Sequence, residues 1–165
     1  MRQERWNLGK LGTTASGIRE GWWGVGPGAE AFLDQLVVWR ELAFSTCARR
    51  PLDYDRFEGL PAWAQLTLNS HASDPRPHVY SFEQFEAGET HDLLWNAAQW
   101  EMRRDGWMHN YMRLLWGKKI LEWSASPREA LDTMIALMNR WAIDGRDPRV
   151  RRLHVDARSA RSTLA

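Results

Sequence analysis

Between His91 and Pro148 the chain sets three tryptophan-bearing apolar stretches between strong helix-start and helix-stop signals. That punctuation leaves little choice beyond short helices stacked on one another. Asp92 can cap a helix over roughly 92–104, which Gly106 closes, and a second helix is expected from about 108 to 123. Ser126-Pro127-Arg128-Glu129 starts a third, with Ser as cap, Pro in the first position and Glu three residues after the cap. This helix should run to about Ile143 and stop at DGRDP, where Gly145 and Pro148 forbid continuation. Six of the eleven tryptophans fall in this block. Indoles at helical spacing imply a large aromatic core or a route for electrons, and spacing alone leaves both open.

The upstream text is also helical in character. REGWWGVGPG (19–28) reads as a loop ending at Pro27. AEAFLDQLVVWRELAFSTCA (29–48) follows as one helix, with Phe32, Leu36, Trp39 and Ala43 in a single apolar stripe. RRPLDYDRFEGLP is a connector, and PAWAQLTLNSHA is a short helix with Pro61 in its first turn. SFEQFEAG (81–88) has capping-box form, Ser81 and Gln84 three apart, with Gly88 as the stop. No segment alternates as a strand does, so the fold class is all-α.

Composition excludes several classes. The net charge of +1 conceals an uneven distribution: residues 149–165 hold five Arg and one acid, so residues 1–148 hold 17 basic and 20 acidic side chains, a balance of −3. The body is not uniformly basic, and any nucleic-acid groove must be local. Cys47 is the single cysteine, which excludes an intrachain disulfide and fits a cytoplasmic protein. The five His show no close metal-ligand pairing, and no apolar run reaches membrane-spanning length. Phosphate-binding P-loop, dinucleotide-binding, nucleophile-elbow and zinc-protease signatures are absent.

Two side-chain groups carry potential chemistry. Trp116 and Trp123, seven apart, share a helix face about 10 Å apart along the axis, with Trp95 on the preceding helix. Arg113 lies one turn before Trp116 within an apolar stretch. If buried it needs a carboxylate, which Asp144 or Asp147 can supply in bidentate form; otherwise it reaches out to solvent.

Several long motifs occur here in family order: GAEAFLDQLVVWREL, YDRFEGLPAWAQLTL, THDLLWNAAQ, GWMHNYMRLLWGKKILEWS and IDGRDP. Over residues 18–148 the chain resembles the helical, FAD-binding domain of DNA photolyases, in particular class II cyclobutane pyrimidine dimer photolyases. The resemblance implies light-driven, FAD-dependent repair by electron transfer to a flipped-out pyrimidine dimer in DNA. Trp95, Trp116 and Trp123 match the tryptophan chain that reduces the flavin, in the expected order Trp95, Trp116, then a surface Trp123. Arg113, Asp144, Gly145 and Arg146 match flavin-contacting positions, and Met138 stands where the family has an Asn facing the flavin. Trp39 matches the tryptophan that packs on the dimer, Tyr80 an aromatic that fills the gap left in the duplex, and Asn110 and Tyr111 stand where the wider family touches DNA.

The text also departs from the family. Methionine at 138 cannot replace a hydrogen-bonding amide. The acid normally one turn before the dimer-stacking tryptophan is Gln35 here, with Asp34 beside it. Residues 1–17 match poorly, and the family's antenna domain and phosphate-holding loop are expected in a missing N-terminal part, a possible partner of this chain. After Pro148 the aromatic family text gives way to RVRRLHVDARSARSTLA. We expect this tail to be disordered and read out of frame: His154-Val155-Asp156 written CAC-GTG-GAT contains ACG-TGG, encoding the Thr-Trp the family has there. On this view the chain is inactive alone. The alternatives are a non-catalytic helical half that needs a partner, or a flavin photoreceptor of cryptochrome type.

Overall fold

A computed structural model describes residues 21–148, and the expectations for residues 1–17 and for the tail lie outside them. Among the described residues the fold is all-α, with no strand. Two compact units divide at Thr46/Cys47.

In the first unit, Pro27 opens α1 (Pro27–Leu33). Glu30 in its first turn gathers the preceding loop, accepting hydrogen bonds from the backbone N–H of Gly21 at 2.7 Å and of Trp23 at 3.2 Å. A π-helical turn, Asp34–Trp39, then leads into α2 (Arg40–Arg49). The inserted π turn corrects the single stripe read from the sequence. Its i→i+5 bonding shifts the register, and of the four stripe residues Ala43 is buried while Phe32 is 63% and Leu36 42% exposed.

The second unit adds α3 (Ala62–Ser70), α4 (Phe82–Ala87), α5 (Leu93–Asp105), α6 (Asn110–Trp123) and α7 (Pro127–Trp141). A short 3-10 turn, Phe57–Gly59, precedes α3, and Pro61 is its cap rather than part of its first turn. The local signals explain the boundaries. Ser81 and Gln84 form both bonds of a capping box, and Gly88 ends α4 at φ 69°. Asp92 accepts from the N–H of Leu94 and Trp95 at the start of α5, and Gly106 ends it at φ 68°. Ser126 accepts from Glu129 N–H at 3.2 Å, and α7 stops at Trp141, two residues before the expected Ile143.

The core lies where α5, α6 and α7 meet. From α7 it takes Ala130, Met134, Leu137 and Met138, at spacings of three and four, each burial of a Leu or Met contributing roughly 2 kcal/mol. Gly117 on α6 permits close approach, since a Cβ there would lie 3.2 Å from Met134 Sδ. The same core holds Trp95, Trp116 and Trp123. A smaller cluster, Phe57, Leu60, Ala64 and Leu131, fixes α3 to α7. No helix of the described residues is long and apolar enough to cross a membrane.

Candidate functional site

Trp95 and Trp116 face each other across α5 and α6 with ring centroids 6.2 Å apart and planes 3° from parallel. Their polar edges hold them there. Trp95 Nε1 donates to the Trp116 carbonyl at 3.1 Å, and Trp116 Nε1 donates to Gln99 Oε1 at 2.9 Å. Gln99, one turn after Trp95 on the same buried face of α5, is itself fully buried. Sequence reasoning passed over it, although a lone amide among Trp95, Ala98 and Met102 was the signal.

Trp123 lies 6.0 Å from Trp95, edge to face. The ring contacts therefore run Trp116–Trp95–Trp123, with Trp95 in the middle. This corrects the order Trp95–Trp116–Trp123. Seven residues of α6 separate Trp116 from Trp123 by about 10 Å of rise, and the indole from the neighbouring helix fills that interval. A second correction concerns exposure. Trp123 is 1% exposed, not a surface residue. Tyr80 at 5.9 Å and His91 at 4.8 Å cover it edge-on, and Lys119 Nζ stands 5.2 Å from its ring centre.

Ten residues before Trp123, Arg113 settles the open question of its burial. Its side chain is 9% exposed and forms a fork with Asp144, Nη1 to Oδ2 at 2.8 Å and Nη2 to Oδ1 at 3.2 Å. The Asp144 side chain is 49% exposed, so the pair is open on one side. Arg113 Nε is buried and makes no hydrogen bond in the structure. The turn that carries Asp144 packs on the end of α7. A Cβ on Gly145 would fall 1.8 Å from the Met138 carbonyl oxygen, so only glycine fits. The N–H of Ile143 donates to the Gly106 carbonyl at 2.9 Å, tying this turn to the α5–α6 connection.

These residues fit a planar, hydrogen-bonding ring system in part. The buried Arg113 Nε–H lacks an acceptor, and the half-open Asp144 carboxylate can accept from an N–H of a bound ring. Met138 offers no such bond and is buried in the core. Arg146 is exposed beside Gly145.

The remaining expected positions are dispersed. Asn110 and Tyr111 are exposed in the first turn of α6, the Tyr111 ring stacked on His109 at 5.8 Å. Tyr80 lies against Trp123 at the other end of that helix, about 20 Å away along the axis. Trp39 belongs to the first unit, where its Nε1 donates to Asp34 Oδ2 at 3.0 Å. The π turn brings residues five apart together, which places the Asp34 carboxylate against the Trp39 indole.

No protein-family model matches the chain. Curated relatives do. The chain is 53% identical over 119 residues to a deoxyribodipyrimidine photo-lyase of Oryza sativa subsp. japonica, covering 72% of this chain and 23% of that protein. It is 52% identical over 117 residues to a protein of the same name from Potorous tridactylus, covering 71% and 22%. With that of Methanothermobacter thermautotrophicus it shares 49% over 117 residues, covering 71% and 26%. The chain thus spans about a quarter of the length of the curated relatives it matches. Over most of its own length it is similar to deoxyribodipyrimidine photo-lyases from a plant, a marsupial and an archaeon.

Proposed function

We propose that this chain is the electron-relay and flavin-floor portion of a class II cyclobutane pyrimidine dimer photolyase, acting on DNA in the cytoplasm. The observation that carries the reading is the fork of buried Arg113 with half-exposed Asp144, one turn from the parallel Trp116–Trp95 pair. About 50% identity to photo-lyases over more than 70% of the chain supports it. Arg113, Asp144, Gly145 and Arg146 would hold an FAD. When bound, that group supplies light absorption and one-electron chemistry. Arg113 fixes the Asp144 carboxylate, and Gly145 lets the turn lie flat on α7. Trp116, one turn from Arg113, is the inner end of the relay, Trp95 its middle and Trp123 its outer member. Trp39, with Asp34 holding its indole, packs on the dimer once it leaves the stack, a displacement needed because a stacked base cannot reach the site. Tyr80, Asn110 and Tyr111 contact the DNA.

The absorption spectrum of the purified chain tests flavin binding, and colourless protein that takes up no added FAD would sink this reading. Trp95→Phe in flavin-loaded protein tests the relay. It should abolish photoreduction while leaving flavin content unchanged, whereas undiminished photoreduction would remove Trp95 from the path.

A further inference from the structure

We propose that Tyr80 and His91 form a proton-coupled redox pair that ends the tryptophan relay. The proposal extends the relay reading above, and it rests on three features of the aromatic cluster.

The first is hydrogen-bond direction. The backbone N–H of His91 donates to the Tyr80 hydroxyl oxygen at 3.0 Å. With that lone pair used, the hydroxyl proton is free to point at His91 Nδ1, 2.7 Å away. A neutral imidazole accepts there and carries its own proton on Nε2. Both partners are anchored. Tyr80 N–H donates to the Trp123 carbonyl at 3.0 Å, and Arg76 Nη1 reaches the Glu122 carbonyl at 3.1 Å, tying the Tyr80 segment to the end of α6. Thr90, next to His91, exchanges hydrogen bonds with Asn96: its N–H donates to Oδ1 at 3.0 Å and its carbonyl accepts from Nδ2 at 2.8 Å.

The second is the contrast with the inner indoles. The Trp95 and Trp116 N–H groups are bonded to a backbone carbonyl and to the Gln99 amide oxygen. Neither acceptor can take a proton, so an electron hole on these rings stays as a radical cation and can return. The third is charge. Lys119 Nζ, 5.2 Å from the Trp123 ring centre, attracts the neutral ring but repels a radical cation. A radical cation on Trp123 is therefore disfavoured, moderated by Glu122 Oε2 at 2.8 Å from Lys119 Nζ, and a step that leaves this ring neutral relieves the repulsion.

The step balances as follows. A one-electron oxidant, which a bound flavin would supply under light in the reading above, leaves the hole on Trp123. Tyr80 passes one electron to Trp123 and its hydroxyl proton to His91 Nδ1. The products are neutral Trp123, a neutral Tyr80 phenoxyl radical and an imidazolium. His91 is exposed and can release its proton to water, which traps the hole at the protein surface.

The test uses pulse radiolysis of the full chain with azide radical, which oxidises indoles and needs no flavin. Tyr54→Phe/Tyr111→Phe protein leaves Tyr80 as the sole tyrosine. Indolyl radical should convert to phenoxyl radical in a first-order process independent of protein concentration and slowed in D2O. Tyr80→Phe should abolish the product. His91→Gln keeps the backbone N–H but removes the base, and should slow conversion on the order of a hundredfold, as expected for loss of a positioned base. Absence of phenoxyl radical in the Tyr80-only protein, or an unchanged rate in His91→Gln, would overturn the proposal. The D2O effect needs no variant at either residue, so a poorly folding variant leaves the test intact. Failure here with normal flavin binding refutes the pair alone, while colourless protein that shows the conversion refutes the flavin reading alone.

Discussion

Replacing Gln99 by Met removes the buried amide oxygen that accepts from the inner indole. Gln99 is 0% exposed, its Oε1 accepts from Trp116 Nε1 at 2.9 Å, and its Nε2 reaches the Glu86 carbonyl at 3.3 Å. Methionine has similar length and volume but no effective acceptor. The Glu86 carbonyl keeps a bond from Arg103 Nη1 at 3.0 Å, so the damage falls on one indole N–H. A buried donor left without a partner costs about 1–3 kcal/mol, so the variant should lose about 2 kcal/mol, roughly thirtyfold in the folding equilibrium. Trp116→Phe removes the donor itself, together with aromatic area. In the double variant no N–H is orphaned, and the combined loss should fall short of the sum by about 1–2 kcal/mol. Urea titration of the wild-type chain and the three variants, followed by far-ultraviolet circular dichroism, measures all corners of the cycle. Losses that add within about 0.5 kcal/mol would show that the bond contributes nothing and would refute the argument.

Gly145→Ala should destabilise the chain by about 2 kcal/mol or more, because its Cβ would meet the Met138 carbonyl oxygen at 1.8 Å and backbone cannot yield as a side chain can; urea titration checks it. Met138→Asn buries an amide in the core, so the flavin-free chain should lose about 1–3 kcal/mol while FAD retention on gel filtration rises. Unchanged retention would argue against the assigned flavin-facing role of this position. Hydrogen bonds from Arg128 and Arg104 hold the Glu58 and Asp105 carboxyls below the usual range, and a backbone N–H does the same for Glu83. Their folded values are depressed, so the stability they contribute is present above about pH 4 and is lost as pH falls below it. Urea midpoints measured down an acid series should decline over that window, and less steeply in Glu58→Gln.

The helix boundaries were legible because their causes are local. Ser81, Asp92 and Ser126 each bond N–H groups within the next three residues, and Gly88 and Gly106 take left-handed φ values that other residues resist. The π turn was not legible, since DQLVVW suits an α-helix equally well by composition. Its consequence is local: Asp34, five residues before Trp39, accepts from the indole N–H. Arg113 was undecidable for a related reason. An arginine in an apolar stretch can fold outward or find a partner, and its partner is 31 residues away on a turn whose position depends on Gly145 lying against α7.

The order of the indoles is the clearest case of what spacing cannot carry. Trp116 and Trp123 are neighbours in heptad position, yet the ring that links them comes from another helix, and its tilt is set by bonds to the Trp116 carbonyl and, through Trp116, to Gln99. Direction is a separate matter from order. Three buried indoles of similar chemistry give a path along which a hole can move either way. Asymmetry has to come from the ends. At the inner end a buried guanidinium holds Asp144 beside a half-open face. At the outer end a cation stands over Trp123, and a phenol with a ready base lies beyond it. Half-buried Tyr80 and exposed His91 lie eleven residues apart, and nothing in the sequence sets either beside an indole. Placed against Trp123, they become the part of the path at which electron and proton can leave together.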